Sequence, residues 1–196
     1  MPAALSSRKG KTMVTATLEG RNLHLHVEGL EPFVVKPLPG LAGMQITDTY
    51  LDTATGRGNQ IEATLALVMA LDGAVHNPET DLWEPPPEEQ RANSNRVGLE
   101  LSTAETEDVS MAAFFWQTIL GAAGVNTYLE SGGGIGGHTK AMWALVQRLG
   151  LSPLLTSPST ALEDLTRLLG SIPSTSTPEG GKKPGKRPQG GRPKQK

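Results

Sequence analysis

No cysteine occurs in the chain, which excludes disulfides, thiolate metal sites and cysteine nucleophiles and fits a reducing cytosol. Aromatic residues are scarce at 4%, and apolar residues as a whole make up only 37%. Both values are low for a globular protein of 196 residues. Gly (23) and Pro (15) together fill nearly a fifth of the chain, so the shortfall falls on linkers and ends, around a small core of ordinary character. No run of about 18 apolar residues is present, so no transmembrane helix is expected. Arg8, Lys9 and Lys11 lie near the N-terminus, but no apolar stretch follows them, and the segment does not read as a secretory signal.

Acidic and basic residues are unevenly spread. Residues 171–196 hold seven Lys or Arg against one Glu, a balance of +6, and the other 170 residues hold eleven bases and nineteen acids, a balance of −8. An acidic body with a basic tail is thus expected, the tail disordered because Ser, Thr, Pro, Gly, Lys and Arg cannot bury enough surface to offset the entropy of ordering. The tail suits phosphate neutralisation and suits a solubilising tether equally, and it offers no aromatic residue to stack on bases.

The local patterns predict an α+β fold, mainly helical, with residues 1–12 disordered, one domain over residues 13–170 and the basic tail beyond. Met13 to Glu19 and Leu23 to Val27 alternate around the turn Gly20-Arg21-Asn22, and Phe33-Val34-Val35 supplies a third short strand. The β element therefore spans 13–37, and helices fill 40–170. Leu41, Met44, Ile46 and Tyr50-Leu51 suggest a first helix, ending before Gly56. Ile61, Leu65, Val68 and Met69 are expected on the inward face of a second, stopped at Gly73. Asn77-Pro78 breaks the chain, Glu84 to Glu89 reads as stiff polyproline, and the polar residues up to Gly98 read as a surface loop with at most a helical turn. Ser102-Thr103-Ala104-Glu105 is a capping box that opens a helix expected to run to Leu120, with Val109, Ala112, Ala113, Trp116 and Leu120 as its stripe. Val125 to Glu130 reads as a turn or two of helix. Thr139 to Leu149 predicts a helix with Met142, Leu145, Val146 and Leu149 inward, and the capping box Thr160 to Glu163 opens a last helix carrying Leu162, Leu165, Leu168 and Leu169.

Each motif suggestive of chemistry has a plainer explanation. Gly132, Gly134 and Gly137 match G-x-G-x-x-G, but no β-rich run precedes them and Ser157 stands where a ribose-binding acid belongs. Read as a phosphate loop, the same run carries His138 where a lysine is needed. A flexible helix-to-helix loop is the better reading. His24 and His26 share a strand face without a further ligand tied to them by spacing, which fits a solvated sheet face, and His76 and His138 stand alone. No G-x-S-x-G, H-E-x-x-H or paired-acid motif occurs, so no catalytic, cofactor or metal residue is assigned and no enzyme is expected. The cluster Phe114-Phe115-Trp116 cannot put all three rings on one narrow face. At least one ring therefore serves a second core layer or a partner-binding surface.

The order of these pieces carries a resemblance. A short β start runs into Phe33-Val34-Val35-Lys36-Pro37-Leu38-Pro39, and helices follow. Then come Ala112-Ala113-Phe114-Phe115-Trp116-Gln117, Tyr128-Leu129-Glu130 with a glycine loop, and the basic low-complexity end. This layout resembles the tail assembly chaperones of long-tailed, siphovirus-type phages that infect actinobacteria. The resemblance implies a non-enzymatic protein of the host cytoplasm that binds the tape measure protein, helps recruit tail tube protein, self-associates, and is absent from the finished virion. It also implies expression in two lengths by ribosomal frameshifting. Gly181-Lys182, Gly185-Lys186 and Pro193-Lys194 are the dipeptides that slippery heptamers would encode. A head–tail connector or tail completion protein is the first alternative, and a DNA-binding accessory protein using the basic tail is the second.

Overall fold

A computed structural model describes residues 14–151, so the expectations for residues 1–13, for the helix opened by Thr160 and for the basic tail lie outside the described residues. Three strands come first: β1 (Val14–Glu19), β2 (Asn22–Val27) and β3 (Phe33–Val35). They form an antiparallel sheet in the order β1-β2-β3, with Val14 opposite Val27, Ala16 opposite Leu25, and Leu25 opposite Phe33. The period-2 pattern works as alternation requires. Val14, Leu23, Leu25, Val27, Phe33 and Val35 are buried, and His24 and His26 stand on the opposite face, half-buried. The Thr17 hydroxyl and His26 Nε2 share a hydrogen bond of 2.8 Å. Leu18, expected on the apolar side, is exposed because it lies at the turn end of the edge strand.

Six helices follow: α1 (Gly40–Ala54), α2 (Gln60–Asp72), α3 (Ala92–Glu100), α4 (Thr103–Gln117), α5 (Ala122–Glu130) and α6 (Gly134–Arg148). Of the described residues, 57% are helical and 15% strand, which makes the fold α+β and mainly helical. Two further strands, β4 (Val75–Asn77) and β5 (Leu82–Glu84), pair as a hairpin after α2. The break expected at Asn77-Pro78 is this hairpin's turn.

Helix α4 is the centre. It packs against α2, α5 and α6 and lies under β1 and β2. Its N-terminus is closed by the expected capping box: Ser102 N–H donates to Glu105 Oε2 at 2.9 Å, and Glu105 N–H donates to the Ser102 hydroxyl. The Ser102 hydroxyl, which donates to Glu105 Oε2 at 2.6 Å, and the Ser102 N–H together hold the Glu105 carboxyl below the usual carboxylate range. Eight consecutive residues, Asp108 to Phe115, are buried. The expected single stripe is therefore corrected, because a helix enclosed on all sides buries its whole circumference. The helix also stops at Gln117 rather than Leu120. Thr118 turns extended, and its hydroxyl donates to the Phe115 carbonyl at 2.8 Å.

Helices α1 and α2 form as expected, and Ile46 and Met69 are buried, but several of their large apolar residues face outward. On α1 the buried residues are Ala42, Gly43, Ile46 and Thr47, leaving Leu41 70% and Met44 64% exposed. On α2 they are Ala63, Ala66, Met69, Ala70 and Leu71, leaving Ile61 73% exposed and Leu65 outward as well. The reason is approach distance. A Cβ at Gly43 would lie 2.6 Å from the Gln117 carbonyl oxygen, so the close crossing of α1 and the end of α4 admits only small side chains. Leu149 is likewise outward rather than inward, whereas Met142, Leu145 and Val146 are buried as expected.

The stretch expected as a loop up to Gly98 holds α3. Asp72, the last residue of α2, caps it from a distance: Asn93 N–H donates to Asp72 Oδ1 at 2.7 Å and Ser94 N–H to Asp72 Oδ2 at 2.9 Å. The glycine run, expected to be too flexible for regular structure, is ordered. Gly132, Gly133 and Gly134 take positive φ (91°, 64° and 51°), and the last of them opens α6.

Candidate functional site

Helix α1 carries its outward leucine and methionine beside the segment that leaves α4 and beside the end of α6. Together these walls enclose an open groove of about 670 Å³. Leu41, Met44, Ile119 and Leu149 line it with apolar side chains, Gly43 and Thr47 lie at its α1 base, and Asp48 and Thr118 add polar edges. Ile119 is 59% exposed. Leu41 also borders a second depression with Gln45, His76, Asp81 and Trp83, so the apolar surface continues along α1 to the β4–β5 hairpin. The size falls within the range of roughly 300–1,000 Å³ in which apolar ligand sites lie.

Side-chain amides fix these walls. Gln117, at the end of α4, accepts from Leu38 N–H at 2.9 Å and donates to the carbonyls of Lys36 (2.8 Å) and Ala70 (3.1 Å). One side chain thus ties the approach to α1 and the end of α2 to α4. Gln45 on α1 treats β5 as a neighbouring strand would: it accepts from Trp83 N–H at 2.9 Å and donates to the Trp83 carbonyl at 2.7 Å. Backbone groups satisfied in this way hold each wall in place.

The cluster singled out in the sequence sits elsewhere. Phe114 and Phe115 are fully buried, with ring centroids 5.4 Å apart. Tyr50 packs on Phe114 (4.5 Å) and Tyr128 on Phe115 (5.6 Å), so both phenylalanines are core and present nothing to a partner. Trp116 is half-buried, and its Nε1–H is buried without a hydrogen-bond partner among the described residues. The three aromatics therefore do not line the groove.

Two buried polar groups close around the aromatic core. His138 is buried against Phe115, and its Nε2 lies 3.2 Å from the Tyr50 hydroxyl. Burial pushes the imidazole down to about 4 and, with the Glu107 charge adding to it, pushes the Tyr50 phenol up to about 12. His138 is consequently neutral at pH 7. Asp108 Oδ1 accepts from the Tyr128 hydroxyl at 2.8 Å and from Gly134 N–H at 3.1 Å, which explains where the glycine run is anchored. Gly137 completes that packing, since a Cβ there would lie 2.4 Å from the Tyr128 carbonyl oxygen. The run is thus an ordered helix junction, packed at Gly137 and anchored at Gly134.

His76 meets Asp81 at 3.0 Å on the exposed hairpin. Among the described residues no group of three His, Asp or Glu stands close enough to hold a metal ion, and no helix is long and apolar enough to cross a membrane. The sequence reading misses the groove because bulk alone places Leu41 and Met44 in the core. The available signal is that α1 is apolar on two faces, one of small residues (Ala42, Gly43) and one of large ones (Leu41, Met44). In comparisons with known proteins, no family model, no curated protein and no solved structure matches this chain.

Proposed function

We propose that this chain is a tail assembly chaperone of a long-tailed phage, which holds apolar helical segments of the tape measure protein in the groove of α1, α4 and α6. The observation that carries the reading is the groove: four large apolar side chains, Leu41, Met44, Ile119 and Leu149, line one open depression whose walls are braced from within. An amphipathic helix buries its stripe in such a groove through anchors at helical spacing. A tape measure helix exposes such stripes until the tail tube encloses it. The layout resemblance adds the β start, the helical body and the basic end. The task requires shielding and no bond-making, in the host cytoplasm, with release before the virion is complete. Recruitment of tail tube protein belongs to the same proposal.

The test is co-expression with the long helical protein encoded in the same tail gene cluster. The wild-type chain should keep that protein soluble and co-purify with it. Met44→Asp combined with Ile119→Asp, two changes at exposed positions, should abolish both effects while the variant stays folded. Undiminished co-purification of the double variant would move the binding surface away from the groove. Abundant chain in purified particles would favour a structural tail protein instead.

A further inference from the structure

The two edges of the three-stranded sheet are finished differently. Glu19 lies opposite Asn22 across a two-residue turn opened by Gly20 at φ +62°, so Thr15, Thr17 and Glu19 exchange hydrogen bonds with β2. Antiparallel pairing then turns the N–H and C=O groups of Val14, Ala16 and Leu18 out to the edge. By the same alternation Phe33 and Val35 bond to β2, and Val34 faces out on the other edge. That second edge is capped by side chains. Asn93 Nδ2 donates to the Val34 carbonyl at 3.0 Å, Arg96 Nη1 to the Pro32 carbonyl at 3.4 Å, and Gln117 Nε2 to the Lys36 carbonyl at 2.8 Å. On β1, among the described residues, nothing bonds to the outward groups of Val14, Ala16 and Leu18. Such a row is a template for a further strand.

β1 also lacks the features that keep an edge from pairing. Its ladder runs without a bulge, it contains no proline, and Val14 to Leu18 carry no charge. Beside it, Ala16, Thr17 and Leu18 border a depression of about 80 Å³ with Ala122, Val125 and Asn126 of α5, which are uncharged as well. Elsewhere charge is plentiful, since residues 14–151 hold seventeen acids against seven bases. Two such acidic bodies repel each other, and this edge is a place where they can meet without like charges face to face. The edge is also complementary to itself about a twofold axis. With Ala16 opposite Ala16 of a second copy, Val14 lies opposite Leu18 of that copy, and the outward groups pair in about six hydrogen bonds. Thr15 then faces Thr17 of the second copy, a favourable cross-strand pair. Leu18, 51% exposed in the single chain, gains an apolar neighbour.

We propose that β1 pairs with β1 of a second copy, antiparallel about a twofold axis at Ala16, and joins the two sheets edge to edge. The contact uses none of the groove residues and does not rest on the chaperone reading. A dimer of this kind carries the groove twice.

Sedimentation velocity of the full chain across the micromolar range tests the contact. The wild-type mass should rise from monomer to dimer with concentration. Ala16→Pro removes only an outward N–H that the hairpin does not use, and it should weaken the dimer at least about tenfold. Thr15→Lys combined with Thr17→Lys is the second variant, in case proline disturbs β1. It sets lysine opposite lysine across the axis at two exposed positions and should weaken the dimer as much. Thr15→Glu with Thr17→Glu should be equally weak alone, and mixing the lysine and glutamate chains should restore dimers. Circular dichroism equal to wild type shows that each variant is folded. A wild type that stays monomeric would overturn the proposal and leave the edge to a strand of another protein. Undiminished dimers in the folded variants would also overturn it, because the contact would lie elsewhere. No recovery in the mixture would overturn the pairing centred on Ala16.

Discussion

Helices α1 and α4 have the same length and nearly the same apolar content, seven residues of fifteen against eight, yet they use it in opposite ways. Helix α4 encloses eight consecutive residues, a charged one included, whereas α1 buries four and turns Leu41 and Met44 outward. Composition does not decide this. Helix α4 is covered by α2, α5, α6 and the sheet, and α1 lies mainly against α2 and meets the end of α4 at a glycine. The large side chains left over on α1 are what the groove is made of. Apolar residues outside the core thus mark a surface that another apolar chain is expected to cover.

The sharpest way to break the comparison is to truncate equivalent bulk on the two helices. Phe115→Ala should cost about 3–5 kcal/mol in denaturant unfolding, as the loss of a fully buried ring demands, whereas Met44→Ala should change stability by less than about 0.5 kcal/mol. Equal losses would show that the groove is part of the core. A half-buried Trp116 falls between them, and Trp116→Phe should be close to neutral, since it removes a buried donor that has no partner among the described residues.

The buried His138 sharpens the comparison through pH. Its folded-state value lies near 4 and its unfolded value near 6.5, so folding excludes a proton that the unfolded chain takes up. Its effect on stability is nil above about pH 7 and grows more unfavourable as pH falls from 6.5 towards 4. Wild type should lose up to about 2 kcal/mol between about pH 7 and pH 5 from this group. Glu107, which burial and the neighbouring Asp108 hold above the usual carboxylate range, acts in the opposite sense as it protonates. The clean measurement is therefore the difference between wild type and His138→Leu. The two chains should differ in pH slope over roughly pH 5–7, and parallel slopes would mean that His138 is protonated in the folded protein.

A smaller effect is expected where α1 meets α4. Gly43→Ala brings a Cβ against the Gln117 carbonyl, an overpacking cost of about 1–3 kcal/mol, set against a helix-propensity gain of about 1 kcal/mol. A net loss of about 1 kcal/mol should appear as a lowered Tm. A gain would show that the crossing can open. The smallest effect belongs to Ile61→Gln on the outward face of α2, within about 0.5 kcal/mol of wild type despite the loss of an isoleucine.

Those faces mark where the sequence stops being legible. The capping box at Ser102 and Glu105 can be read because both partners lie within four residues, and the alternation of β1 and β2 because one sheet face is buried. Helix α3 escapes because its cap is Asp72, twenty-one residues away from Asn93. Bulk alone points Ile61 and Leu41 inward, but the faces that win are made of alanine and glycine, whose value lies in the distance they permit between backbones. The anchoring of the glycine run needs Asp108, which local spacing marks only as an ordinary helical acid.

That anchor has a kinetic consequence. Asp108 on α4 accepts both the hydroxyl of Tyr128 on α5 and the first backbone amide of α6. First-turn amides of a helix normally exchange with solvent early, because no carbonyl of the helix protects them. Gly134 should instead exchange as slowly as the centre of α4, since releasing its hydrogen requires three helices to part. A slow amide at the start of a glycine-rich helix, measured in deuterated buffer, would report the opening of the whole α4–α5–α6 unit, and Asp108→Ala should turn it into a fast one by removing that acceptor.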